Sequence, residues 1–80
     1  MVAAFVMIQM GTSAPWADAG ALHAALHAVP GVKTVHFLMG STDVIAFVET
    51  ADQKTLIETV GKIRGIKGVT GTDTRMVVPV

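Results

Sequence analysis

The sequence contains no cysteine, no tyrosine and no asparagine, and only 15% of its residues are charged. Without cysteine there is no disulfide framework, no thiolate metal site and no cysteine nucleophile. Without tyrosine or asparagine, two of the side chains that small dimeric α+β enzymes usually place in a cavity are missing, and no acid–base pair stands at a recognisable spacing. The six Lys and Arg are balanced by six Asp and Glu, and they are scattered along the chain. No basic patch exists, so direct nucleic-acid binding is not expected. The longest apolar run, residues 2–8, is far short of the roughly 18–20 residues of a spanning helix. It also lacks a basic start and a following cleavage site, so neither membrane insertion nor export is expected. With no cysteine and no targeting segment, the expected location is cytoplasmic.

What the sequence does have is apolar surface, at 51% hydrophobic residues. Eighty residues form one domain, 1–80. A domain of this size buries only about 60% of its unfolded surface. The excess must therefore meet a ligand or a partner chain. The stretch 35–49 (VHFLMGSTDVIAFVE) reads as two strands joined by a tight polar turn. Gly40 permits positive φ there, and Ser41, Thr42 and Asp43 can bond backbone groups or a ligand. The run Val44-Ile45-Ala46-Phe47-Val48 is apolar at every position, where a strand with one wet face would alternate. Both faces of this strand must therefore be covered.

Along the chain, residues 3–10 form a first strand. Ala3, Phe5, Met7 and Gln9 point one way, and Ala4, Val6, Ile8 and Met10 the other. Ser13 as N-cap and Pro15 in the first turn open a helix that runs to about Ala28. Leu22, Leu26 and Val29 make its inner stripe, and Pro30-Gly31 ends it. A second strand, 32–39, is more polar, as suits a sheet edge. Thr50-Ala51-Asp52-Gln53 has the form of a capping box, which starts a second helix at Ala51. Its inner stripe is Leu56, Val60 and Ile63; Lys54, Glu58 and Lys62 line its outer face at spacing four. A last strand occupies 69–78, and its polar first half again suits an edge.

The order β-α-β-β-α-β carries a faint internal echo, 29–32 (VPGV) against 66–69 (IKGV). Two interleaved β-α-β units give a ferredoxin-like α+β sandwich. Right-handed crossovers place both helices on one face of a four-stranded antiparallel sheet, in the order fourth, first, third, second. The other face is then an apolar patch of a size monomers rarely tolerate. A homodimer made face to face through the sheets is the expected remedy, since a standard interface takes about 800 Å2 per partner.

The residues resemble those of the effector-binding (RAM) domain of Lrp/AsnC regulators. The likeness runs through Val29-Pro30-Gly31-Val32, then Gly40-Ser41-Thr42-Asp43 and the strand to Glu49, then Leu56, Val60, Ile63, Gly68-Val69, Thr72 and Thr74. The resemblance implies a domain that dimerises through its sheet and assembles further into octamer- or decamer-like rings. It implies an amino-acid effector bound in clefts between dimers, near the G-x-x-D turn. Met39, Gly40, Ser41, Thr42, Asp43, Thr72 and Thr74 are the ligand-binding candidates. Turn N–H groups would take the carboxylate and Asp43 the ammonium. The bland alternative is a hairpin turn with Asp43 capping its own backbone, and threonines that face water. No helix-turn-helix accompanies the domain in this sequence. It therefore looks like a stand-alone form that senses an amino acid alone or co-assembles with a full-length relative.

The remaining candidates have plain readings. His23 and His27 stand at i, i+4, a spacing that can hold zinc, but two ligands with no third histidine or nearby carboxylate make a weak site. They are read as solvated or interface histidines, and His36 as structural. Trp16 covers an end of the core or anchors a contact. Met7, Met10, Met39 and Met76 are read as gap-filling core. No metal or cofactor is expected. Two other functions compete with sensing: a small dimeric α+β barrel enzyme, such as a monooxygenase or isomerase, and a pure assembly module that binds partner subunits only.

Overall fold

A computed structural model describes residues 1–11 and 19–80. The elements are β1 (Val2–Met10), α1 (Ala19–His27), β2 (Val32–Phe37), β3 (Val44–Thr50), α2 (Gln53–Arg64) and β4 (Val69–Met76). They form one antiparallel sheet in the order β2-β3-β1-β4, a ferredoxin-like arrangement with both helices on one face. The two most apolar strands are central, and the polar strands are at the edges. Ser13, Pro15 and Trp16, placed by the sequence at the head of the first helix, lie outside the described residues.

Alternation explains the central pair. Ala4, Val6 and Ile8 of β1 and Val44, Ala46 and Val48 of β3 are wholly buried beneath the helices. Leu22 and Leu26 of α1 and Leu56 and Ile63 of α2 close that layer. Thr59 is also buried; its hydroxyl donates to the Pro30 carbonyl at 3.1 Å and ties α2 to the turn before β2. Gly31 in that turn has φ +97°, and a Cβ there would stand 3.2 Å from the Glu49 carbonyl. Only glycine fits both demands.

β2 departs from simple alternation. Val32 and Val35, an odd number of residues apart, are both buried. The register shifts between Val32 and Thr34, so Lys33 is an extra residue on β2. This bulge returns Val35 to the core side and puts a charge on an edge strand, where it discourages pairing with another sheet. β2 ends at Phe37, not Met39, because Leu38 already donates to the Asp43 carbonyl at 2.8 Å to close the turn. β4 ends at Met76 rather than Val78.

The capping box does not form. Thr50 is the buried last residue of β3, paired with Val2, and its hydroxyl donates to the Asp52 carbonyl. Asp52 is the N-cap: its Oδ1 accepts from the Thr55 N–H at 2.8 Å, and the helix begins at Gln53. Nor do Lys54, Glu58 and Lys62 make ion pairs; the one ion pair among the described residues is Arg75–Asp73. The hydrogen bond from Thr55 holds the Asp52 carboxyl below the ordinary aspartate pKa. A depressed folded-state value means the cap stabilises above the usual carboxylate range and stops doing so as pH falls through the lowered value. Asp52→Ala is therefore expected to melt below the parent at neutral pH and to converge with it in strong acid, below the usual carboxylate range. Thermal melts at the two pH values check this.

The methionines are not uniformly core. Met10 packs partly against it, but Met39 is 94% exposed in the turn and Met76 is 42% exposed at the end of β4.

Candidate functional site

The second face of the sheet is bare in the single chain. Ala3, Phe5 and Met7 of β1 stand beside Ile45 and Phe47 of β3, and all keep part of their surface exposed. The rings of Phe5 and Phe47 are 5.0 Å apart at 49°, a tilted aromatic pair at the centre of the face. Register places Thr34 and His36 of β2 along one margin and Asp73 and Arg75 of β4 along the other. An apolar centre with a polar rim is the layout of a protein interface.

At one end of this face the turn between β2 and β3 folds toward β1. Gly40 takes φ +130°, as its sequence position suggests. The Asp43 carboxylate does not cap its own backbone. Its Oδ2 accepts from the Met10 N–H at 2.8 Å, across 33 residues of sequence, and so clips the turn to the end of β1. The Gln9 side-chain amide donates to the Ser41 carbonyl at 3.3 Å. On the other side of β1 the register with β4 shifts at Gln9/Met10, where Thr70 is the extra residue and donates its hydroxyl to the Gln9 carbonyl.

Between these features lies a hollow of about 260 Å3, lined by Met7, Gln9, Thr42, Gly71, Thr72 and Asp73. Thr42 and Thr72, both sequence candidates, meet here. Ser41 and Asp43 flank it through their bonds to Gln9 and Met10, while Met39 and Gly40 are exposed in the turn above. Thr74 is elsewhere: it lines a larger, mostly apolar groove of about 360 Å3 with Gln53, Leu56, Ile57, Val60, Gly61, Arg64 and Met76. Gln9 and Asp73 are the polar groups of the hollow that sequence reasoning passed over. The signal for Gln9 was present: it is the one polar residue in the outward series Ala3, Phe5, Met7, Gln9. Asp73 carries a negative charge into the hollow, and its Oδ2 accepts from the Arg75 Nε and Nη2 at 3.2 and 3.0 Å. Polar groups of both kinds converging on a small, mostly polar hollow beside an apolar face can orient a small polar solute.

Comparison with known proteins agrees with this fold. The model of the Lrp/AsnC ligand binding domain family matches residues 3–79. The solved structure of TTHA0845 from Thermus thermophilus is similar over 100% of this chain and 96% of its own, with 27% identity and a TM-score of 0.83. The hypothetical protein PHS023 from Pyrococcus horikoshii is similar over 100% and 93%, with 27% identity and a TM-score of 0.81. E. coli AsnC shares the fold at 19% identity and a TM-score of 0.83; 99% of this chain is covered, and it spans 52% of AsnC. No curated protein matches the sequence.

Proposed function

We propose that this chain, which belongs to the Lrp/AsnC ligand binding domain family, is an oligomeric sensor of a free amino acid. The observation that carries the reading is the hollow where Gln9, Thr42 and Asp73 converge at the end of the open sheet face. Its charge suits a zwitterion. Asp73, anchored by Arg75, receives the ammonium, and the N–H groups of the turn 40–43 receive the carboxylate. Asp43, already bonded to Met10, holds that turn in place.

Oligomerisation is the second half of the proposal. Two copies pack through Phe5, Phe47 and their apolar neighbours, which removes an exposed patch of the kind monomers avoid. Higher assembly brings further subunits against the hollow, so that ligand occupancy is coupled to ring formation. A full-length regulator of the family is the partner through which such a signal would reach DNA. The enzyme reading has less support, since His23, His27 and His36 are all exposed rather than enclosed in a cavity.

The test is a thermal-shift series over the twenty amino acids at millimolar concentration. At least one is expected to raise the melting temperature by on the order of 10 °C, as binding at roughly 10–100 times Kd requires. Asp73→Asn is expected to abolish that response. A flat series would sink the sensing reading and leave an assembly module.

A further inference from the structure

We infer that His23 and His27 form a chelating site for a divalent transition-metal ion, with copper(II) preferred. The two histidines occupy adjacent turns on one side of α1, at i and i+4. Both are exposed, and among the described residues neither imidazole makes an ion pair. Their ring centres are 4.5 Å apart, with the planes at 55°.

That separation is compatible with chelation. With metal–nitrogen bonds of about 2.0–2.1 Å, two imidazoles in cis positions on a tetragonal ion have ring centres roughly 4.5 Å apart. A tetrahedral angle would spread them to roughly 5 Å or more. The pair therefore sits at the spacing of a right-angled ligand set, and the higher intrinsic affinity of copper for nitrogen ligands acts in the same direction. Little reorganisation remains to be done on binding, because the helix backbone already fixes both Cβ positions.

Two further features favour a cation here. His27 lies in the last turn of α1, where the helix presents the negative end of its dipole. Phe37 stands 6.4 Å from the His23 ring and gives that side an apolar wall. The described residues place no group of three or more histidines and carboxylates together, so the protein supplies two ligands. Water takes the other equatorial positions. The helices cover the opposite side of the sheet from Phe5 and Phe47, so this site stays accessible in a sheet-to-sheet dimer. It is independent of the amino-acid reading, and neither test bears on the other.

The experiment is calorimetric titration of tag-free protein with copper(II) and nickel(II) chloride at neutral pH, with electron paramagnetic resonance of the copper form. Binding of a single copper ion per chain is expected, with nitrogen hyperfine structure from two imidazoles. His23→Ala and His27→Ala should each weaken binding by roughly 10-fold or more, as loss of a chelate partner does. Alanine is the best helix former, so both variants should keep their far-UV spectrum. His36→Ala should bind as the parent does. Copper affinity unmoved by both helix substitutions, or lost on His36→Ala, would overturn the assignment.

Discussion

Phe47→Asp is expected to turn the protein into an 8.3 kDa monomer in sedimentation equilibrium at micromolar concentration. Phe47 is central on the open face and pairs with Phe5 at 5.0 Å. Aromatic residues in the middle of an interface typically account for about 2 kcal/mol or more on truncation, about 30-fold in Kd. Aspartate adds a second penalty. Close to a two-fold axis it would meet its own symmetry mate, so two carboxylates would be desolvated near each other. The fold itself should survive, because Phe47 lies outside the layer buried under the helices. Far-UV circular dichroism should therefore be unchanged while the mass falls to that of one chain. Phe5→Asp is expected to behave in the same way, being directly opposite in the β1–β3 register. A variant that still sediments as a dimer would remove the sheet face as the interface.

The residues behind that prediction are legible in the sequence because their signal is local. Strands with apolar residues at every position must be covered on both faces, and β1 and β3 say so within nine and seven residues. β2 is harder to read. Its buried valines are three apart, which fits no strand period until Lys33 is recognised as a bulge. A bulge is a property of two strands in register, and one strand's sequence does not contain it. The helix cap fails for a related reason. Thr50-x-x-Gln53 and Asp52-x-x-Thr55 overlap, and either could start a helix. What decides is that Thr50 is drawn into the ladder opposite Val2 and buried, leaving Asp52 as the first free side chain. Met39 stays out of the core because it stands in the exposed turn after β2, and Met76 because it lines the open groove between the end of β4 and α2.

The site divides along the same line. Gly40 and its polar neighbours announce a turn in consecutive residues. Gln9 and Asp73 join that turn only through pairings that span more than 30 residues, Gln9 with Ser41 and Met7 with Asp73. Periodicity supplies no such distances. It gives the direction of each side chain on its strand, and the register between strands then brings those directions to one hollow.

Asp43 is the residue in which the architecture and the proposed sensing meet, and replacing it should separate the two. Asp43→Ala removes the acceptor for the Met10 N–H, a part-buried backbone group beside the register shift between β1 and β4. An unsatisfied buried donor costs about 1–3 kcal/mol. For a domain of this size that corresponds to a fall in melting temperature on the order of 10 °C. The turn 38–43 would also lose its tie to β1, so the amino-acid response should disappear together with the stability. Asp43→Asn keeps an oxygen acceptor of nearly the same shape. It should recover most of the melting temperature, though a neutral acceptor makes a weaker bond than a carboxylate. If Asp43 only holds the turn and Asp73 binds the ammonium, Asp43→Asn should also keep the thermal response to the amino acid. If the response is lost while the melting temperature stays high, the ammonium sits on Asp43 and the assignment to Asp73 is wrong. The paired melts, with and without ligand, make the choice because the two carboxylates do different structural work: one clips a turn to a strand, the other is held at the rim by Arg75.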